Sequence, residues 1–307
     1  MFFKSYRSPA FNDFDAVLGL FLEDARLALQ KDVVLDQGAL AIAGPVDQAV
    51  CRVTNLAWSL SASQIAKRFK LKTLILINDL QATAYAVPFL PKEDFVSIQQ
   101  GPPLAESTLA VIAPGTGLGE AVLYWDGERY HALATEAGHA DFAPVNALEM
   151  EFADYCRAQG PAQFNQHVSI ERVLSGQSIV DIYQFLYQRS ASKTESPLLT
   201  GYEPSDWSAL ISAQALNHDD DLCEEAMALF VRMLAAEAGN LALRSLAYGG
   251  VVVGGGIAPK ILPLVNSELF RTNFSAKGRF QGLLQQIPVN VCLNSQAPML
   301  GALHWLL

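Results

Sequence analysis

The chain has 307 residues and a mass of 33.3 kDa, enough for two domain cores at roughly 150 residues each. Half of it is apolar (51%) and 17% is charged, which excludes intrinsic disorder and collagen-like or coiled-coil chains. Twenty-one basic against 31 acidic side chains give a net charge of −10, so nucleic acid and anionic membranes are repelled at long range and neither is expected as a partner. Cys51, Cys156, Cys223 and Cys292 form no CxxC pair; the expectation is free thiols in a reducing cytosol, with no zinc site and no disulfide framework. The opening MFFKSYRSPAF lacks a signal-peptide pattern, and no apolar run reaches about 18 residues without a charge or glycine. The expectation is a cytoplasmic globular protein with no membrane span.

In chain order, FFKSY reads as a short strand, followed by a helix over residues 11–29 with apolar side chains at three- and four-residue spacing. Residues 38–43 read as a buried strand stopped by Gly44-Pro45, and 51–55 as a second strand. Ser61 or Ser63 is a candidate cap for a helix through Phe69, and 74–77 is a strand that halts at Asn78-Asp79. Strands alternating with helices predict an α/β lobe with a largely parallel sheet. A second set begins at strand 109–113 and runs into the glycine turn 113–119. Residues 120–124 and 130–134 flank Asp126-Gly127, a two-residue hairpin signal. Residues 147–233 are predicted mostly helical, interrupted at 190–205 by a Ser/Pro/Gly-rich mobile loop. A helix over 224–243, strand 250–253 broken by Gly254-Gly255-Gly256, strand 288–293 and a helix from Pro298 close the chain.

Five places carry candidate chemistry. Two glycine-rich turns, 113–119 and 254–256, each follow an apolar strand; such turns present N–H groups to phosphate oxygens. Neither is a P-loop, and each taken singly reads better as a plain tight turn; two at corresponding strand ends are more informative. Asp79 ends a buried strand, where open α/β sheets place ligands, and it also reads as a helix cap for 80–87. Thr135–Phe142 groups Glu136, His139 and Asp141 around glycine, and Glu171 opens a helix. His139 also reads as a satisfied interior histidine, and Glu171 as a partner of the helix dipole. Acids, an amide and one histidine with no metal spacing suit a polyhydroxylated ligand.

Ordered motifs over essentially the whole chain then resemble the bacterial glucokinases of the hexokinase/actin/heat-shock-chaperone superfamily. They are AIAGPV at 41–46, TNLAW at 54–58, LILINDL at 74–80 and APGTGLG at 113–119, followed by TEAGHADFAP at 135–144, SIERVLSG at 169–176, GGVVVGGGIAPK at 249–260 and FSAKGRF at 274–280. The resemblance implies a two-lobed, ribonuclease H-like (actin/hexokinase-type) α/β fold. The small lobe would be residues 1–89 plus 295–307 and the large lobe 90–294, with a cleft between them that closes over the sugar. It implies a cytoplasmic, glycolytic, homodimeric kinase that uses ATP with Mg²⁺, bound through the nucleotide phosphates, to make glucose 6-phosphate. Asp79 would be the general base on the sugar 6-hydroxyl, Asn78 would hold the 3- and 4-hydroxyls, Glu136 the 2-hydroxyl, and His139 with Glu171 the anomeric end. Gly115, Thr116 and Gly117 resemble the second phosphate-binding loop, and Gly254, Gly255 and Gly256 the adenosine-side turn. No protein metal site is implied.

One departure stands out. The family opens with a strand, an Asp-x-Gly-Gly-Thr-type phosphate loop and a second strand, and this sequence begins about where the third strand should be. The small lobe is therefore expected to lack its first two strands, and these 307 residues as they stand to turn over weakly or not at all. The competing reading is a non-catalytic sugar-binding relative, or a gene start set too late. Ala137, where the family has glycine, and Glu120 beside the phosphate loop are smaller departures.

Overall fold

The computed structural model describes residues 2–54, 56–102, 104–160, 167–191 and 197–306. They divide into two compact units, Met1–Leu90 with Gln296–Leu307, and Pro91–Ser295.

The first unit starts without the strand expected at FFKSY. Phe2 packs on Phe21 with ring centroids 5.3 Å apart, and Lys4 and Tyr6 both donate to the Asp24 carboxylate, at 2.6 and 2.5 Å. Phe21 and Asp24 lie on α1 (Phe14–Leu29), so the opening segment is engaged by a helix face instead of a sheet. Asp13 caps α1 by accepting the Ala16 N–H at 2.8 Å. Next come β1 (Gln37–Ile42), β2 (Val46–Asp47), β3 (Val50–Arg52) and β4 (Ser59–Ser61), then α2 (Ala62–Phe69), β5 (Thr73–Asn78) and α3 (Asp79–Ala86). Ser61 stands at the N-cap of α2 but bonds no helix N–H; its hydroxyl meets Ser63 at 3.2 Å. β1 and β5 pair in parallel from Gln37↔Thr73 to Ile42↔Asn78, while β2, β3 and β4 form a separate antiparallel sheet.

Strand alternation gives the β1–β5 pair two different faces. Leu40, Ile42, Leu74 and Leu76 pack with Phe14 and Leu18 of α1 and with Ile65 of α2. Ala39, Ala41 and Ile77 face Ala82 of α3 and Ala302 and Trp305 of the chain's last helix. Small residues bring that pair of helices together. A Cβ on Gly301 would fall 1.7 Å from the Ala82 carbonyl oxygen.

The second unit begins with β6 (Phe95–Gln99), β7 (Leu109–Pro114), β8 (Leu118–Trp125) and β9 (Tyr130–Ala134). The hairpin loop is the four residues 126–129, not two. The Asp126 carboxylate accepts the N–H groups of Glu128 and Arg129 at 2.8 and 2.9 Å, so pairing resumes only at Trp125↔Tyr130. Helices α4 (Ala147–Gln159), α5 (Ile170–Val173), α6 (Gly176–Ala191), α7 (Trp207–Asn217) and α8 (Asp221–Ser245) follow. Residues 192–196 of the expected mobile stretch and Asn55 of the 54–58 motif lie outside the described residues; Pro197–Leu199 and Pro204–Asp206 are single 3₁₀ turns. Then come β10 (Gly250–Val253), α9 (Leu262–Val265), α10 (Glu268–Ser275), α11 (Gln281–Leu284) and β11 (Val289–Cys292), before α12 (Ala297–Leu306) returns to the first unit.

The large sheet has the order β6-β11-β10-β7-β8-β9 and is mixed: β11, β10 and β7 run parallel, and the outer strands antiparallel. Its core runs from Ile112 and Val253 in the sheet to Phe152, Ile182, Phe230 and Phe274 in the helices. Among the described residues α8 is the one helix long and apolar enough to cross a membrane, yet 72% of its most apolar stretch is buried inside this unit, as befits a core helix.

Candidate active site

Asn78 and Asp79 occupy the junction of β5 and α3 in the first unit. The capping that the sequence allowed for Asp79 is performed chiefly by Asn78, whose Oδ1 accepts the N–H groups of Leu80 and Gln81 at 3.0 and 3.1 Å. Its Nδ2 donates one hydrogen to the Gly44 carbonyl at 3.2 Å, tying the junction to the Gly44-Pro45 turn, and the other meets no acceptor among the described residues. Asp79 Oδ1 accepts the Leu80 N–H at 2.8 Å, and its Oδ2 takes no hydrogen bond among the described residues. Burial pushes the Asp79 carboxyl above the ordinary aspartate range, with the Leu80 N–H pulling the other way.

The two glycine turns belong to the second unit and follow the adjacent parallel strands β7 and β10, at their carboxyl ends. They pack on one another: a Cβ on Gly255, whose φ is +78°, would lie 2.4 Å from the Pro114 carbonyl oxygen, and the Ile257 N–H donates to that oxygen at 3.3 Å. Within the first turn Gly115 closes the loop by donating to the Gly117 carbonyl at 2.8 Å. The N–H groups of Thr116 and Gly117 donate to no acceptor among the described residues, nor do those of Gly255 and Gly256, whereas the Gly254 N–H is bonded to Ile112 at 2.8 Å. Open space surrounds Gly256. The donors on offer to an anion are thus fewer than the glycine count suggests.

Glu136, His139 and Glu171 come together in this second unit. Residues 140–142 and 168–170 run side by side, with the Phe142 N–H donating to Val168 at 2.8 Å and the Ile170 N–H to Ala140 at 2.9 Å. This brings His139 Nε2 to 3.9 Å from Glu136 Oε2, and Nδ1 to 4.0 Å from Glu171 Oε1. Both His139 and Glu136 are largely exposed, so the interior-histidine reading does not hold. Gly138 seats the turn on β8; a Cβ there would lie 2.2 Å from the Leu118 carbonyl oxygen. Glu171 also reaches the first glycine turn, its Oε2 accepting the Leu118 N–H at 2.9 Å.

Two residues escaped the sequence reading or were misjudged by it. His167 sits between Asp141 Oδ1 (2.8 Å) and the His139 carbonyl (3.1 Å), and no local pattern announces it. Glu120 is 1% exposed, and neither of its carboxyl oxygens is supplied with a donor. Burial first, and then the Glu237 carboxylate, push its carboxyl far above the glutamate range. The charge responsible belongs to a carboxylate that is itself held, Glu237 accepting from Asn240 and Arg244 at 2.8 and 2.7 Å.

With this geometry in hand, likeness to known proteins carries weight. The family model described as Glucokinase matches residues 2–307. The glucokinase of Nostoc sp. (strain PCC 7120 / SAG 25.82 / UTEX 2576) is 40% identical over 311 residues, covering 97% of this chain and 89% of that protein. The crystal structure of a glucokinase from an Antarctic psychrotroph superposes with a TM-score of 0.82 at 29% identity, over 98% of this chain and 88% of that one. A glucokinase of the ROK family from Streptomyces griseus, solved in complex with glucose and AMPPNP, shares the fold at a TM-score of 0.62 and 19% identity, over 95% and 86%. The fold is thus the two-lobed α/β one of sugar kinases, and the chain belongs to the glucokinase family.

Proposed function

We propose that this chain transfers the γ-phosphoryl group of ATP to the 6-hydroxyl of glucose, with Asp79 as general base. The observation that carries the reading is the state of Asp79: Asn78 holds the helix cap, leaving Asp79 Oδ2 uncommitted on a carboxylate of raised basicity. Asn78 offers its remaining Nδ2 hydrogen to the 3- and 4-hydroxyls. Glu136 takes the 2-hydroxyl, and His139 and Glu171 the anomeric end. The free N–H groups of Thr116 and Gly117 hold phosphate oxygens, and the Gly254–Gly256 turn the adenosine side. Phosphoryl transfer asks for in-line positioning and neutralised phosphate charge more than covalent help, and the roles assigned to these residues are of that kind.

Mg²⁺ would arrive on the nucleotide phosphates, as it commonly does where one or two protein oxygens and the phosphates share the ion. There the ion would neutralise charge on the transferring group. The non-catalytic alternative is not favoured: the likeness over nearly the whole chain is to glucokinases, and sugar binding alone has no use for two glycine turns with unpaired N–H donors. Family resemblance is also what supports a homodimer, which sedimentation equilibrium tests.

The experiment is ADP release from ATP and Mg²⁺ with glucose, with 6-deoxyglucose, and with neither. Release with glucose alone supports the proposal. Equal release with 6-deoxyglucose refutes transfer to the 6-hydroxyl.

A further inference from the structure

The two carboxyl oxygens of Glu171 have different surroundings. Oε1 stands 4.0 Å from His139 Nδ1, on the sugar side of the reading above. Oε2 turns the other way and accepts the Leu118 N–H at 2.9 Å, at the point where the phosphate turn becomes β8. The same oxygen lies so near Gly117 that a Cβ there would meet it at 2.3 Å. Glycine at 117 is therefore what lets the carboxylate reach the turn.

Few other bonds hold that turn. One is internal, from the Gly115 N–H to the Gly117 carbonyl, and one comes from the Gly176 N–H to the Gly115 carbonyl, each 2.8 Å. Gly176 opens α6, three residues past the end of α5, so two ties issue from the segment that carries Glu171, and a longer one comes from the second glycine turn, the Ile257 N–H on the Pro114 carbonyl at 3.3 Å. That segment is itself braced. Ser169 Oγ accepts the Arg172 N–H at 3.2 Å, and the Arg172 guanidinium lies 3.8 Å from Asp181 of α6. Burial does not force Glu171 to find a partner, since 35% of its side chain is exposed and water is at hand. A backbone donor is nevertheless chosen, and a charge-assisted bond of that kind is roughly twice as strong as a neutral one.

We infer that Glu171 is the positioning residue of the nucleotide-phosphate turn: Oε2 fixes the Gly117–Leu118 backbone while Oε1 faces the sugar, so one carboxylate joins the two substrate sites. The inference rests on the kinase reading above and extends it. A sugar hydroxyl on Oε1 orders the carboxylate and hence the turn, so glucose raises nucleotide affinity and, by reciprocity, nucleotide raises glucose affinity by the same factor.

The test is calorimetric binding of AMPPNP with Mg²⁺ in the absence of sugar, where a residue that only binds sugar has no effect. Glu171→Ala is expected to weaken binding about tenfold, the size of one lost charge-assisted hydrogen bond. Glu171→Gln keeps an acceptor for the Leu118 N–H and stays within about threefold of wild type. Gly117→Ala, whose methyl displaces only the mobile end of Glu171, follows Glu171→Ala. Amide exchange accelerates over residues 113–120 in the Ala variants and recovers in Glu171→Gln. Sugar-free AMPPNP affinity unchanged in Glu171→Ala, with glucose affinity lost, overturns the inference and leaves the kinase reading standing. Faster exchange throughout the second unit in all three variants overturns it too, by making the residue merely structural. A wild-type chain that binds no AMPPNP refutes both readings together.

Discussion

Replacing Asn78 separates the scaffold role of this residue from its place in the chemistry. In Asn78→Ala the Gln81 N–H loses its acceptor and the Gly44 carbonyl its donor, while the Leu80 N–H still has Asp79 Oδ1 at 2.8 Å. A lost N-cap costs about 1 kcal/mol, and a part-buried carbonyl deprived of its donor about another. At roughly 2–4 °C per kcal/mol for a larger domain, the midpoint falls by roughly 4–8 °C. Activity falls further than stability, because Asp79 is left as the only cap and its carboxylate is drawn toward the helix end. Asn78→Asp keeps an acceptor in the capping position, and a negative charge there suits the helix dipole. It loses only the donor to Gly44, so about half of the midpoint shift returns, yet the amide hydrogen assigned to the sugar is gone and the KM for glucose rises. Differential scanning fluorimetry and initial rates over a glucose series read both effects. Equal melting of the two variants refutes the cap, and an unchanged KM in Asn78→Asp refutes the sugar contact.

Gly301→Ala forces a methyl to within 1.7 Å of the Ala82 carbonyl unless α12 and α3 separate; overpacking of this kind costs about 1–3 kcal/mol, and a wild-type midpoint in thermal unfolding contradicts the contact. Glu120 has a folded-state pKa raised above its unfolded value, so the stability it contributes is present in acid and lost as the pH climbs through the raised value. Glu120→Gln removes that loss, and the midpoint of wild type, measured from pH 5 to pH 8, is expected to fall relative to the variant's. The raised carboxyl of Asp79 places the acid limb of kcat/KM above the ordinary aspartate range; a profile flat down to that range contradicts the assignment of Asp79 as base.

What the residue pattern disclosed, and what it hid, divides along range of interaction. The apolar run 74–77 ending in Asn78-Asp79 is visible because a buried strand and its stop are local, and β5 with α3 stands where that pattern places it. The turns at 113–119 and 254–256 are visible for the same reason, although only the pairing of β7 with β10 makes them neighbours. FFKSY reads as a strand by composition, yet Phe21 and Asp24, some twenty residues on, engage it. Which of Asn78 and Asp79 caps α3 depends on the direction of two side chains, which spacing does not encode. The burial of Glu120 beside Glu237, the bridge made by His167 and the reach of Glu171 to Leu118 all join residues distant in the chain. That the Gly115 N–H is spent on the Gly117 carbonyl, unlike those of Thr116 and Gly117, likewise depends on the path of the turn and not on its composition.

The central claim is that Asp79 takes the proton from the attacking hydroxyl, and single-turnover formation of glucose 6-phosphate by wild type and Asp79→Asn tests it most directly. General-base catalysis is worth roughly 10²–10⁴-fold, so the account predicts a loss of that size with glucose-induced thermal stabilisation retained. An Asp79→Asn variant that keeps the stabilisation and makes product at the wild-type rate contradicts it.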